Sequence, residues 1–253
     1  MTKNSNKGLI ITVIVLLSII VLLLTGFMGY VIFTNGSHLG FFDWNRETKV
    51  IYDESFDSND ISKMVITSEL GDIDIKQSND NKIRVVANGY DEKLFNLTNE
   101  GNTITVSSTT SYHKTKAFNP FGNYRNIGID IDIYLPSGYL ETLDISSDLG
   151  DVDIESPLDV DLTVNCDMGS ITAENLSGKF ALHTDMGNIE IERINITADS
   201  SATSDMGDIE IEHTNDIKIN YSTSMGECDV KNNNSSSDIT LTAETSMGDV
   251  EIG

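Results

Sequence analysis

The sequence predicts an all-β protein, a parallel β-solenoid with turns of about 20 residues, preceded by one N-terminal transmembrane helix. Three observations predict it. A glycine-centred phrase recurs through the second half, apolar and polar residues alternate strictly around each copy, and a long apolar run stands near the N-terminus.

The apolar run comes first in the chain. Leu9 to Phe33 is apolar apart from Thr12, Ser18, Thr25 and two glycines, and as a helix it extends roughly 37 Å, enough to cross a bilayer with some tilt. A cleavable signal peptide has a shorter apolar core and a small-x-small exit. This run ends in Tyr30-Val-Ile-Phe33 and is read as an uncleaved single-pass anchor. Lys3 and Lys7 precede it and acidic sequence follows, so residues 1–8 are expected in the cytoplasm and the rest outside the cell membrane. Residues 34–60 read as a juxtamembrane connector, in which Phe41, Phe42 and Trp44 either sit at headgroup level or pack under the first strands.

Residues 61–146 read as an irregular N-terminal part of the solenoid that also caps its end. The first glycine phrase, Ser68-Glu-Leu-Gly-Asp-Ile-Asp-Ile75, stands 79 residues before the next. Strand-like runs lie at Lys82 to Ala87, Leu94 to Leu97, Thr103 to Ser107 and Ile127 to Leu135, with a turn at Pro136-Ser-Gly138. Ser111 to Asn126 is rich in both aromatics and positive charge. It is either a ligand-contacting loop, through Tyr112, Lys114, Lys116, Phe118, Phe121, Tyr124 and Arg125, or a cover over the end of the solenoid.

Residues 147–253 carry the regular repeats. The phrase runs Ser147-Asp-Leu-Gly-Asp-Val-Asp-Ile154 and returns around Gly169, Gly187, Gly207, Gly226 and Gly248, at spacings of 19, 18, 20, 19 and 22 residues. Val160, Leu162, Val164, Cys166 and Met168 alternate with polar residues before one glycine, and Ile209 and Ile211 resume the alternation after another. Each turn is therefore two half-buried strands meeting at a glycine corner. Stacking equivalent residues about 4.8 Å apart makes columns. The Met or Leu one before each glycine is read as an inward packing column. The Ser, Thr or Cys three before it is read as a buried hydroxyl ladder bonded to the corner backbone or the next rung. Lys231 to Ser237 reads as a loop inserted between strands, and the final strand Asp249 to Ile252 as an uncapped edge.

The outward columns are acidic: Asp148 and Asp205 two before the glycine, Asp151 and Asp208 one after, Asp153 and Glu210 three after. Like charges at strand spacing repel. The columns read either as a solvated face that discourages aggregation or as a ladder of oxygen ligands for weak Ca²⁺ or Mg²⁺ binding. No Gly-Gly-x-Gly-x-Asp calcium motif is present. Cys166 and Cys228 sit three turns apart in sequence order, beyond disulfide reach, and read as small buried residues.

The formal net charge of −24 argues against nucleic acid or an anionic membrane surface as partner. Neighbouring carboxylates alone do not make a glycosidase. The repeats leave no long loops to wall a cleft and the chain has four arginines, so an enzyme is not expected and no catalytic or cofactor-binding residue is assigned.

The repeated Ser/Thr-Asp-Met/Leu-Gly-Asp-Ile/Val-x-Ile phrase, the Ile-Asp-Ile-Tyr-Leu-Pro-Ser-Gly138 run and the N-terminal anchor together resemble the bacterial putative-adhesin family with β-strand repeats, which includes LiaG-like envelope proteins. The resemblance covers roughly residues 50 to 253. It implies a right-handed, extracytoplasmic β-solenoid in the bacterial cell envelope, and no established catalytic or binding residues. The expected function is a membrane-anchored, non-enzymatic, adhesin-like binding module for an envelope protein or cell surface. The alternative is an accessory or regulatory protein of an envelope-stress system.

Overall fold

The structure is a computed structural model that describes residues 49–110, 128–136, 138 and 140–253. The candidate membrane span, Phe41, Phe42, Trp44 and the loop 111–126 lie outside the described residues. Among the described residues no helix is long and apolar enough to cross a membrane.

The recurring unit is a pair of strands joined at a glycine. The pairs are β8 (Thr142–Leu149) with β9 (Val152–Ile154), β11 (Asp161–Met168) with β12 (Ile171–Gly178), and β13 (Phe180–Met186) with β14 (Ile189–Ile196). They continue with β15 (Ser200–Met206) and β16 (Ile209–Thr214), β17 (Lys218–Met225) and β18 (Cys228–Val230), and β19 (Thr240–Met247) and β20 (Val250–Ile252). The first strand of each pair joins one sheet and the second joins the other, in parallel register with its counterpart on the next rung. Leu162 pairs with Phe180 and Ile171 with Ile189, for example. One strand of about 3.3 Å per residue cannot bury its apolar face alone, so the inward residues of both sheets merge into one continuous core. That core runs from Ile83, Val85 and Phe95 at one end to Ile217 and Ile219 at the other.

The earliest phrase joins the same stack. Its strands β2 (Lys63–Ser68) and β3 (Ile73–Gln77) pair directly with β8 and β9 across the 79-residue gap in sequence. The intervening residues close the end of the stack by reversing direction. β4 (Lys82–Gly89) runs antiparallel to β7 (Asp130–Leu135), and β5 (Phe95–Glu100) antiparallel to β6 (Thr103–Ser108). The outermost strand on one side is β1 (Lys49–Asp57), antiparallel to β4, in the stretch expected to be only a connector. Its strand character comes from Val50, Ile51, Tyr52 and Phe56. Tyr52 meets Phe95 of the other sheet with ring centroids 4.9 Å apart, and Arg84 clasps Asp53 through two 2.7 Å bonds. A two-residue strand, β10 (Leu158–Asp159), pairs with β12.

The last two repeats are not stacked in sequence order. β19 lies between β15 and β17, and β20 between β16 and β18, so the chain's final repeat is inserted beneath the one before it. The exposed edge is therefore β17 with β18, rather than Asp249 to Ile252. Burial explains the preference. The inserted repeat places Leu241, Ala243, Val250 and Ile252 in the core, whereas the end rung carries Tyr221 and Cys228, which are exposed. A tyrosine tolerates a half-wet position better than an aliphatic side chain does. The polar 231–238 segment makes the return: Lys231 N–H donates to the Ile252 carbonyl and Asn234 N–H to that of Ile217.

Candidate functional site

The corner decides what the protein shows to its surroundings. Gly150, Gly169, Gly207, Gly226 and Gly248 have φ between 147° and 159°, a region that side chains rarely adopt. A second constraint is closeness: a Cβ on Gly207 would stand 2.0 Å from the Gly187 carbonyl oxygen, and one on Gly187 2.1 Å from that of Gly169. These glycine carbonyls are met by the hydroxyls three residues before the corner, which are buried except for the half-buried Thr223 of the end rung. Thr184 donates to Gly169 at 2.9 Å, Ser204 to Gly187 at 3.0 Å, Thr245 to Gly207 at 2.9 Å and Thr223 to Gly248 at 2.8 Å. Where the column holds Cys166 instead, Ser147 turns to its own corner and donates to Gly150 at 3.2 Å.

One residue after the glycine a second ladder runs outside the first, headed by Asp130, which stands two residues after Gly128. Asp130 accepts from the Asp72 amide, Asp72 from that of Asp151, Asp151 from Ser170, the Ser170 hydroxyl from Asn188, Asn188 from Asp208, Asp208 from Asp249, and Asp249 from Glu227. Each side chain satisfies the backbone N–H of the next rung, which a strand ladder broken at a corner leaves unpaired. This assigns Asp151 and Asp208 a structural role that the acidic reading of the column overlooked. The signal was present in sequence, because Ser170 and Asn188 share with aspartate only the ability to accept a hydrogen bond. Glu227, the longer side chain, stands on the end rung where no further amide follows.

The column one residue before the glycine corrects the sequence reading outright. Leu149, Met168, Met186, Met206, Met225 and Met247 are exposed rather than packed inside. Alternation holds as far as the buried residue three before the glycine. The chain then turns a convex corner, and the residues on its outer side all face water. The register keeps these side chains in one line across neighbouring rungs.

The other predicted acidic residues divide. Asp148 and Asp205 are exposed on the strand before the corner, while Asp153 and Glu210 lie on the second sheet's outer face. There, with Glu155, Glu174, Glu190, Glu192 and Glu212, they line an open groove of about 550 Å³. The column five after the glycine, Glu155, Glu174, Glu192 and Glu212, repeats in sequence as regularly as those recognised. The Gly150 and Gly207 rungs are separated by the Gly169 and Gly187 rungs, so the two predicted triads stand roughly 14 Å apart and do not form one centre. Among the described residues no three His, Cys, Asp or Glu side chains converge closely enough to hold a metal ion. Toward the capped end, burial raises the pKa of Asp74 against the pull of Lys76, and raises that of Asp130, beside the carboxylates of Asp72, Asp74 and Asp132.

The cysteines differ from expectation in one respect. Cys166 is buried, and that burial, with Asp151 and Asp167 nearby, pushes its thiol up to about 12. Cys228 is exposed, because its rung ends the stack. Inserting the last repeat also separates their rungs by four steps instead of three. Tyr112, Lys114, Lys116, Phe118, Phe121, Tyr124 and Arg125 lie outside the described residues.

Three solved structures are similar to the chain. A putative cell adhesion protein from Clostridium sporogenes is 11% identical over 81% of this chain and 99% of its own, with a TM-score of 0.47. A putative adhesin from Bacteroides fragilis is 20% identical over 81% and 97%, with a TM-score of 0.39. One from Parabacteroides distasonis is 14% identical over 81% and 97%, with a TM-score of 0.36. No curated protein matches the chain. The Toastrack DUF4097 family matches residues 61–253, which span the glycine corners and both sheets, and the chain belongs to that family.

Proposed function

We propose that the protein is a non-enzymatic surface-binding module of the adhesin kind, held outside the cell by a single-pass N-terminal anchor. In this reading the stack coils right-handedly with about 20 residues per turn, and its contact face is the acidic groove. The observation that carries it is the groove itself. Seven carboxylates, Asp153, Glu155, Glu174, Glu190, Glu192, Glu210 and Glu212, line one open surface, with Arg193 paired to Glu192 beside it. Fixed charges of one sign on a stiff sheet attract a cationic partner and raise its association rate. Weak Ca²⁺ or Mg²⁺ binding belongs to the same proposal, with Asp153 and Glu210 as better oxygen donors than Asp151 and Asp208, which serve backbone amides.

The test compares two full-length variants of equal net charge. One carries Glu190→Gln, Glu192→Gln, Glu210→Gln and Glu212→Gln; the other carries Asp57→Asn, Asp60→Asn, Glu92→Gln and Glu100→Gln at exposed sites elsewhere. Retention on a polylysine surface across a salt series is expected to fall for the groove variant and hold for the control. Equal retention of the two would sink the reading.

A further inference from the structure

The exposed corner column holds five of the chain's eight methionines. The register sets Met168 beside Met186, Met186 beside Met206, Met206 beside Met247 and Met247 beside Met225. The insertion of the last repeat changes only their order, placing Met247 rather than Met225 next to Met206. Packing does not demand methionine here, since Leu149 fills the same column next to Met168. Met168, Met186, Met206 and Met247 are 39–41% exposed and Met225 62%, so a line of thioethers is open to solvent.

The spacing suits a soft metal ion. Neighbouring parallel strands lie about 4.8 Å apart, and two metal–sulfur bonds of roughly 2.3 Å, the zinc–thiolate length, span nearly the same distance. A methionine side chain with three rotatable bonds makes up the remainder. Thioether sulfur is a neutral, soft donor that selects Cu(I)-like ions over Ca²⁺ and Mg²⁺. Asp167, Asp185 and Asp205 flank the column on one side and Asp208 and Asp249 on the other, adding a field that draws cations while offering only hard oxygen ligands.

We propose that this methionine ladder binds a soft monovalent cation, Cu(I) or Ag(I), each ion held between thioethers of adjacent rungs. The inference goes beyond the surface-binding reading and does not rest on it. The experiment uses the full-length chain with Cys228→Ser, which removes the exposed thiol as a competing ligand. Under anaerobic, reducing conditions this protein is expected to withdraw Cu(I) from its bicinchoninate complex. Adding Met186→Leu, Met206→Leu and Met247→Leu, a side chain the column already accepts at Leu149, is expected to weaken binding by more than about tenfold while leaving the thermal midpoint close to that of the parent. In the parent, Ag(I) is expected to shift the methyl resonances of the ladder methionines and leave that of the fully buried Met64 in place. Failure to withdraw Cu(I), undiminished binding by the leucine variant, or Ag(I) shifts outside the ladder would each overturn the proposal.

Discussion

Substituting Gly207 by alanine tests whether the corner is set by contact between rungs. The added Cβ would lie 2.0 Å from the Gly187 carbonyl oxygen, so relief to ordinary contact requires the rungs to part by more than about 1 Å. Three of the bonds that cross that gap sit at the clash: Gly187 N–H to Met206 at 3.1 Å, Ser204 to Gly187 at 3.0 Å, and Asp208 N–H to Asn188 at 3.0 Å. Lengthened by that amount they pass beyond hydrogen-bond range. At about 1 kcal/mol each, the loss is about 3 kcal/mol, or a fall of about 6–12 °C in midpoint for a domain of this size. Gly101→Ala supplies the comparison. Gly101 has φ of 63°, but a Cβ added there would meet nothing within 4 Å, so it incurs only the left-handed backbone cost of about 1–2 kcal/mol. Urea and thermal unfolding of both full-length variants measure the difference. Equal destabilisation would refute the contact argument and leave backbone conformation as the sole reason for glycine.

Other outcomes follow from single contacts. Asn233 receives the Ile219 N–H at 2.9 Å and donates to the Ile219 carbonyl at 2.7 Å, standing in for a missing neighbouring strand; Asn233→Ala is expected to cost about 2 kcal/mol and to speed hydrogen exchange at the Ile219 amide, and unchanged exchange would contradict that role. Folding raises the pKa of Asp74 and Asp130, chiefly by burial, so the folded chain holds these protons more tightly than the unfolded one. Their contribution to stability grows as pH falls from neutral through the folded values toward 3.8 and is lost as pH rises. Asp130→Asn, which keeps the oxygen that accepts from Asp72, is expected to raise the midpoint at neutral pH and flatten its rise on acidification; an unaltered pH profile would rule Asp130 out. A thiol reagent is expected to label Cys228 and spare Cys166, whose thiol is buried and pushed up to about 12. Two equivalents in the native state would show that the core around Cys166 opens.

The sequence by itself determined the repeating unit. Alternation before and after Gly169 or Gly207 specifies two half-buried strands, and the recurring hydroxyl position specifies a bond that Thr184 and Ser204 do make at the corner. These are local consequences of a two-residue period and a tight turn, written into every copy. What the corner shows to water was not legible, because alternation counts residues and cannot sense the convex bend that turns Met186 and Met206 outward. Nor does a column of Asp, Ser and Asn reveal that Asp151 and Asp208 serve the next rung's amides until the rungs are stacked. The order of stacking belonged to tertiary structure alone. The corner phrase is alike in every copy and carries no address, so the inserted position of β19 and β20 follows from which rung buries Leu241 and Val250 and which leaves Tyr221 at the open end.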